Sequence, residues 1–131
     1  MIVVDTSVWV DYTRDLETLQ TAWLETELGR NRLAITDLIL CEILQGVRDD
    51  KEYRETRATL FQLEIFPTGG TNLALAAVDN YRKLRKKGLT VRKTIDCLIA
   101  TFCILNGHSL LHSDRDFDAF EKELGLQVIH P

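Results

Sequence analysis

Met1-Ile2-Val3-Val4-Asp5-Thr6-Ser7-Val8-Trp9 is the stretch whose reading decides the fold. Ile2-Val3-Val4 is an unbroken apolar run, which suits a strand buried on both faces. Asp5 interrupts it. Thr6-Ser7 then offers a helix cap before an apolar-periodic stretch from Val8 to about Arg14. The segment thus predicts a strand that runs through an acid into a helix.

The same alternation recurs outward along the chain. Leu33-Ala34-Ile35, Ile65-Phe66, Ser109–His112 and Gln127–Ile129 are further strand candidates. Between them, Leu19, Trp23, Leu24 and Leu28 fall at helical spacing, with Gly29 as a stop. Thr36 or Asp37 caps a helix that carries Glu42 and ends near Gly46. The charged run Arg48–Arg57 leads into a further helix at Leu60, Phe61 and Leu63. Leu73–Lys87 and Thr94 to about Gly107 read as two more, and Phe117–Leu124 as the last. Pro67-Thr68-Gly69-Gly70 is the clearest loop. Strands alternating with helices predict an α/β fold, with a central, mostly parallel, five-stranded sheet between helical layers, α/β/α. No internal repeat or long linker divides the chain, so residues 1–131 read as one domain.

Composition bounds the function. The chain has 131 residues, 45% hydrophobic and 27% charged, which fits a soluble globular domain with a real core. No apolar stretch approaches the roughly 20 residues of a membrane span. Met1–Val4 has neither a basic flank nor a small-residue cleavage site. A cytoplasmic protein with no membrane contact is expected. Cys41, Cys97 and Cys103 form no C-x-x-C pair and read as reduced, buried packing residues. His108, His112 and His130 lack zinc-type spacing. The net charge of −4 argues against nonspecific attraction to nucleic acid. Lys83, Arg85, Lys86, Lys87, Arg92 and Lys93 nevertheless form a local basic concentration, or a solvated helix end.

Three carboxylates stand in apolar runs. Asp5 follows Val4, Glu42 interrupts Leu38–Leu44, and Asp96 splits Ile95 from Cys97–Ala100. An isolated carboxylate in an apolar interior must be paired, protonated or bound to a metal. Asp114-Arg115-Asp116 adds a further acidic patch. In open parallel sheets, ligands bind outside the carboxyl ends of the strands. Asp5 and Asp114 follow strands directly, and Glu42 and Asp96 are expected in first turns of helices that start at that edge. Topology alone would bring the four acids together around a hard divalent cation, Mg2+ or Mn2+.

Taken singly, each has an ordinary structural reading. Asp5 fits a helix cap, Glu42 an ion-pair partner, and Asp96 an acid complementing a helix dipole. Asp114, Asp116 and Asp118 resemble a polar turn, with Asp118 as its helix cap. One shared pocket explains the acids jointly. Thr6 and Ser7 are hydroxyls that can cap the first helix or touch a metal-bound water. Arg92 can contact phosphate or neutralise an acid of the cluster. Trp9, Tyr12 and Trp23 read as core or subunit-interface aromatics.

These residues resemble the PIN-domain family. Met1–Trp9 looks like its opening strand and acid, Cys41-Glu42-Ile43-Leu44-Gln45-Gly46 its second acidic motif, Thr94–Ala100 its third, and Leu111–Phe117 its fourth. The order holds over essentially the whole chain, and the small size is most similar to VapC toxins of VapBC toxin–antitoxin pairs. The resemblance implies a Mg2+-dependent endoribonuclease. Asp5, Glu42, Asp96 and Asp114 match the acidic positions, and Asp116 matches a less uniform one; Asp5 and Asp96 are the expected metal ligands, with Glu42, Asp114 and Asp116 direct or through water. It further implies a homodimer and a VapB-type antitoxin.

Other classes fit less well. Haloacid-dehalogenase chemistry wants a second Asp where Ser7 stands, and phosphate-binding glycine motifs are absent. A receiver-like domain wants an Asp after a central strand and a Lys on a late one, which Ile65–Thr68 and Leu110–Ser113 do not supply. A catalytically silent metal- or partner-binding module of the same fold remains the alternative.

Overall fold

Val3 and Val4 are fully buried, because their strand is paired on both sides and helices cover both faces of the sheet. In this computed structural model, which describes residues 1–30 and 32–131, β1 (Ile2–Val4) leads into α1 (Thr6–Thr13) and α2 (Leu19–Glu27). Then follow β2 (Leu33–Thr36), α3 (Asp37–Gln45), α4 (Asp50–Leu60), β3 (Glu64–Phe66), α5 (Thr71–Lys86) and α6 (Thr94–Asn106). The chain continues through β4 (Ser109–Leu111), a 3-10 turn (Arg115–Phe117), α7 (Asp118–Leu124) and β5 (Gln127–Val128).

All strand pairings are parallel, in the order β3-β2-β1-β4-β5. β1 is central, with Val3 beside Ala34 on one side and Leu110 on the other. The chain lays strands outward from β1 to β3, then returns to place β4 on β1's other side. The reversal falls between β1 and β4. Parallel crossovers are right-handed, so the reversal puts α1–α4 on one face and α5–α7 on the other. Contacts follow that division: α1 packs on α2 and α3, and α5 on α6 and α7. Val8, Leu24, Ile39 and Leu60 fill one interlayer space, and Leu84, Ile99 and Phe120 the other.

Several local expectations are corrected. The N-cap of α1 is Asp5, not Thr6-Ser7, which lie inside the helix. α4 starts within the charged run, capped by Asp49, so most of that run is the helix's solvated face. Glu42 lies in the second turn of α3, not the first, since it is the sixth residue of a helix that starts at Asp37. Cys41 is exposed, since it points away from the side on which Ile39 and Ile43 pack; Cys97 and Cys103 are buried. Leu19 is exposed at the first position of α2. α7 has no side-chain cap, and Asp118 is its first residue. Among the described residues, no helix is long and apolar enough to cross a membrane.

Thr36 links sheet to site. It is fully buried at the end of β2, and its hydroxyl accepts from the Ile39 amide at 3.1 Å. Thr36→Ala leaves that amide without its partner, and a lost cap costs about 1–2 kcal/mol. Urea denaturation should show a lower midpoint with unchanged slope; an unchanged midpoint would refute this role.

Candidate active site

The reversal of strand order opens a crevice between the carboxyl ends of β1 and β4, the place where such sheets bind ligands. Asp5 leaves β1 there, and its amide donates to Leu111 O at 2.9 Å. Its Oδ2 accepts from the Ser7 amide at 3.0 Å and the Ser7 hydroxyl at 2.6 Å. Ser7 Oγ in turn accepts from the Ser113 amide at 3.0 Å. One hydroxyl therefore ties the exit of β1, the first turn of α1 and the segment after β4.

Thr6 holds the second acid. Its hydroxyl donates to Glu42 Oε1 at 2.8 Å, joining α1 to α3. Glu42 is half-buried. Asp96, the third residue of α6, is only 4% exposed, and its Oδ2 is buried with no hydrogen-bond partner. Asp114 Oδ1 accepts from the Asp116 amide at 2.9 Å, which shapes the 3-10 turn. Carboxylate oxygens of Asp96, Asp114 and Asp116 all lie within 4.8 Å of one another. Asp5 and Glu42 stand outside that closest group, near enough for their charges to act on Asp96.

The electrostatics follow from burial and crowding. Burial, then the charge of Asp5, pushes the Asp96 carboxyl up to about 7, with Asp114 and Glu42 adding and Lys93 opposing. Burial raises Asp5 too, against the two hydrogen bonds from Ser7. Burial is also the main cause of the raised pKa of Glu42, which the Thr6 hydrogen bond partly offsets. A buried carboxylate oxygen without a donor, among acids that repel it, fits a site for a hard divalent cation.

Three further groups border the acids, of which sequence singled out only Arg92 for a role at the site. Arg92 Nη2 lies 2.8 Å from Asp116 Oδ1, so of its two readings the structure shows the neutralising one. Lys93 Nζ lies 3.8 Å from Asp114 Oδ2; its position three residues before Asp96 was the available signal. His112 Nδ1 accepts from the Asp114 amide at 3.1 Å. That assigns the proton to Nε2, which is buried without a partner, and burial lowers the ring's pKa. Zinc spacing was the wrong criterion for it; its place between β4 and Asp114 was the useful one.

A cleft of about 360 Å³, lined in part by His112, Ser113 and Arg115, reaches the acids at Asp114. The larger cavity, about 560 Å³, lies by Met1, Trp9, Leu33 and Leu63 and includes none of them.

The PIN domain pattern matches residues 2–123. The chain belongs to the PIN-domain family. It is 36% identical to Ribonuclease VapC11 of Mycobacterium tuberculosis over 98% of this chain and 97% of that protein, with the same figures for a VapC ribonuclease of Mycobacterium bovis. Solved structures of similar fold include a chain of VapBC2 from Rickettsia felis, bound to a fragment of promoter DNA, with TM-score 0.77, 21% identity and 98% of both chains covered. FitAcB of Neisseria gonorrhoeae gives TM-score 0.74 at 17% identity, covering 100% of this chain and 98% of that one. At such identities the structural likeness is one of fold. The five-stranded parallel sheet of this PIN-domain protein, with its two helical layers, is that expected from sequence.

The raised pKa of Asp96 has a stability consequence. Folding favours its protonated form, so its contribution is fully present below the ordinary value of 3.8 and lost as pH rises through about 7. With chelator present, the stability advantage of Asp96→Asn over wild type should widen between about pH 5 and about pH 8. The opposing effect of His112 is common to both proteins and cancels in the difference. A gap that stays constant or narrows in urea titrations would contradict this assignment.

Proposed function

We propose that this PIN-domain chain is a Mg2+-dependent endoribonuclease toxin that hydrolyses RNA phosphodiester bonds and is held inactive by a VapB-type antitoxin. The observation that carries the reading is Asp96, which has a buried, unpartnered Oδ2 and a carboxylate oxygen within 4.8 Å of oxygens of Asp114 and Asp116. Full-length similarity to proteins named VapC ribonucleases supports the substrate class, and the VapBC complexes of similar fold support the partner. The reading includes residues 1–131 acting as one nuclease domain, a homodimer, and residence in the cytoplasm.

In this reading Asp96 holds the cation, with Asp114 and Asp116 as the acids clustered beside it. Asp5 is the other direct ligand expected from sequence, and Glu42 engages the cation directly or through water. Mg2+ keeps several waters, so not every acid need touch it, and Mn2+ is an acceptable substitute. Bound there, the cation supplies nucleophilic water and stabilises the charge that develops on the phosphate. The protein's own groups orient the reaction. Ser7 fixes Asp5, and Thr6 fixes one oxygen of Glu42. Glu42, whose pKa burial raises and whose Oε1 Thr6 fixes, is one carboxylate suited to orienting the attacking water and taking its proton. The cleft beside His112 and Arg115 gives the RNA strand an approach to the acids.

Cleavage of total RNA by purified, antitoxin-free protein tests this. Activity should vanish in EDTA and in Asp5→Asn or Asp96→Asn, with the fold retained by circular dichroism. Ser7→Ala, which removes an orienting partner rather than a ligand, should lose about 10–100-fold. Full activity in Asp96→Asn or in EDTA would overturn the reading. No cleavage by folded, metal-loaded wild type would favour the silent module instead.

A further inference from the structure

Two cations already stand on the acids that a metal would need. Arg92 pairs with Asp116 at 2.8 Å and Lys93 lies 3.8 Å from Asp114, and these acids are two of the three whose oxygens cluster within 4.8 Å. The other described ion pairs, such as Arg30 with Glu27 and Lys87 with Glu123, lie on different acids. Lys93 occupies the N-cap position of α6, three residues before Asp96, without making a side-chain cap. Its charge also acts on Asp96 and Glu42, opposing the rise in each pKa. A single ammonium thus influences three acids of the site.

Neither cation is fixed in place. The side chains of Arg92 and Lys93 are 74% and 58% exposed. Exposed pairs of long side chains are weak, and both residue types suit phosphate recognition, Arg through its planar fork and Lys as a mobile point charge. By contrast, the acids they approach are partly buried, and Asp114 is tied to the backbone through the Asp116 amide.

The geometry points to Arg92 and Lys93 as an exchangeable counter-charge: they neutralise Asp116 and Asp114 while the cation is absent, and its binding releases them to RNA backbone phosphates. The inference rests on the metal site proposed above. It makes metal binding and nucleic-acid binding mutually supportive, since coupling between two sites is reciprocal. It also means that these two residues oppose metal binding when no RNA is present.

Calorimetric titration of the intact chain with Mn2+ tests this, using wild type, Arg92→Gln, Lys93→Met, the double variant, and Lys93→Arg as a charge-keeping control. Each protein's fold is checked by thermal melting. The double variant should bind Mn2+ about 5-fold or more tightly than wild type, the low end of ordinary coupling, with Lys93→Arg close to wild type. Should the double variant melt early, the single variants give the same comparison, each with a smaller gain. A short single-stranded DNA, used as a backbone mimic, should bind wild type more tightly with Mn2+ than without, and the double variant without that gain. Equal or weaker Mn2+ binding by the variants would overturn the inference and leave the metal site standing. No Mn2+ binding by folded wild type would remove both.

Discussion

Burying the Asp96 carboxylate beside other acids is unfavourable twice, because water is withdrawn from its charge and the neighbouring charges repel it. The rest of the site is arranged around that constraint. Asp5 receives two hydrogen bonds from Ser7, Glu42 one from Thr6, and Asp114 one from the Asp116 amide. Arg92 and Lys93 approach the two acids after β4. None of these donors reaches Asp96 Oδ2. The protein therefore stabilises four members of the cluster with its own groups and leaves a buried oxygen of Asp96 to be satisfied by something else.

The fold makes this crowding possible at modest conformational cost. A short, buried central strand ends at Asp5, and the reversal of strand order brings the end of β4 alongside it. α1 begins at once, so Thr6 and Ser7 point their hydroxyls at two different acids from adjacent positions. The Ser113 amide closes the set across 106 residues of sequence. These contacts hold the acids at strand ends, in the short turn after β4 and in early helical turns rather than on long loops, which is how a preorganised site keeps its geometry.

Much of this was legible in the sequence, for reasons that can be named. Apolar runs broken by single acids mark buried strands and helices, so β1, β2 and α6 and the positions of Asp5 and Asp96 could be read directly. The alternation of strand and helix carried the sheet and its parallel sense. What escaped depended on spatial partners. Whether Thr6 and Ser7 cap a helix or hold acids is decided by Glu42 and Ser113, which are distant in sequence. Asp116, whose role sequence left open, falls in the closest group because the turn after β4 folds back on its own carboxylate. Cys41 looked buried because an apolar neighbourhood in sequence does not say which way a helix faces.

The measurement that bears most directly on the central claim is anomalous scattering from crystals of the protein soaked in Mn2+. The account predicts a manganese peak coordinated by Asp96 Oδ2, between Asp96, Asp114 and Asp116. A soaked crystal with those three carboxylates free of lattice contacts and no peak among them would contradict it.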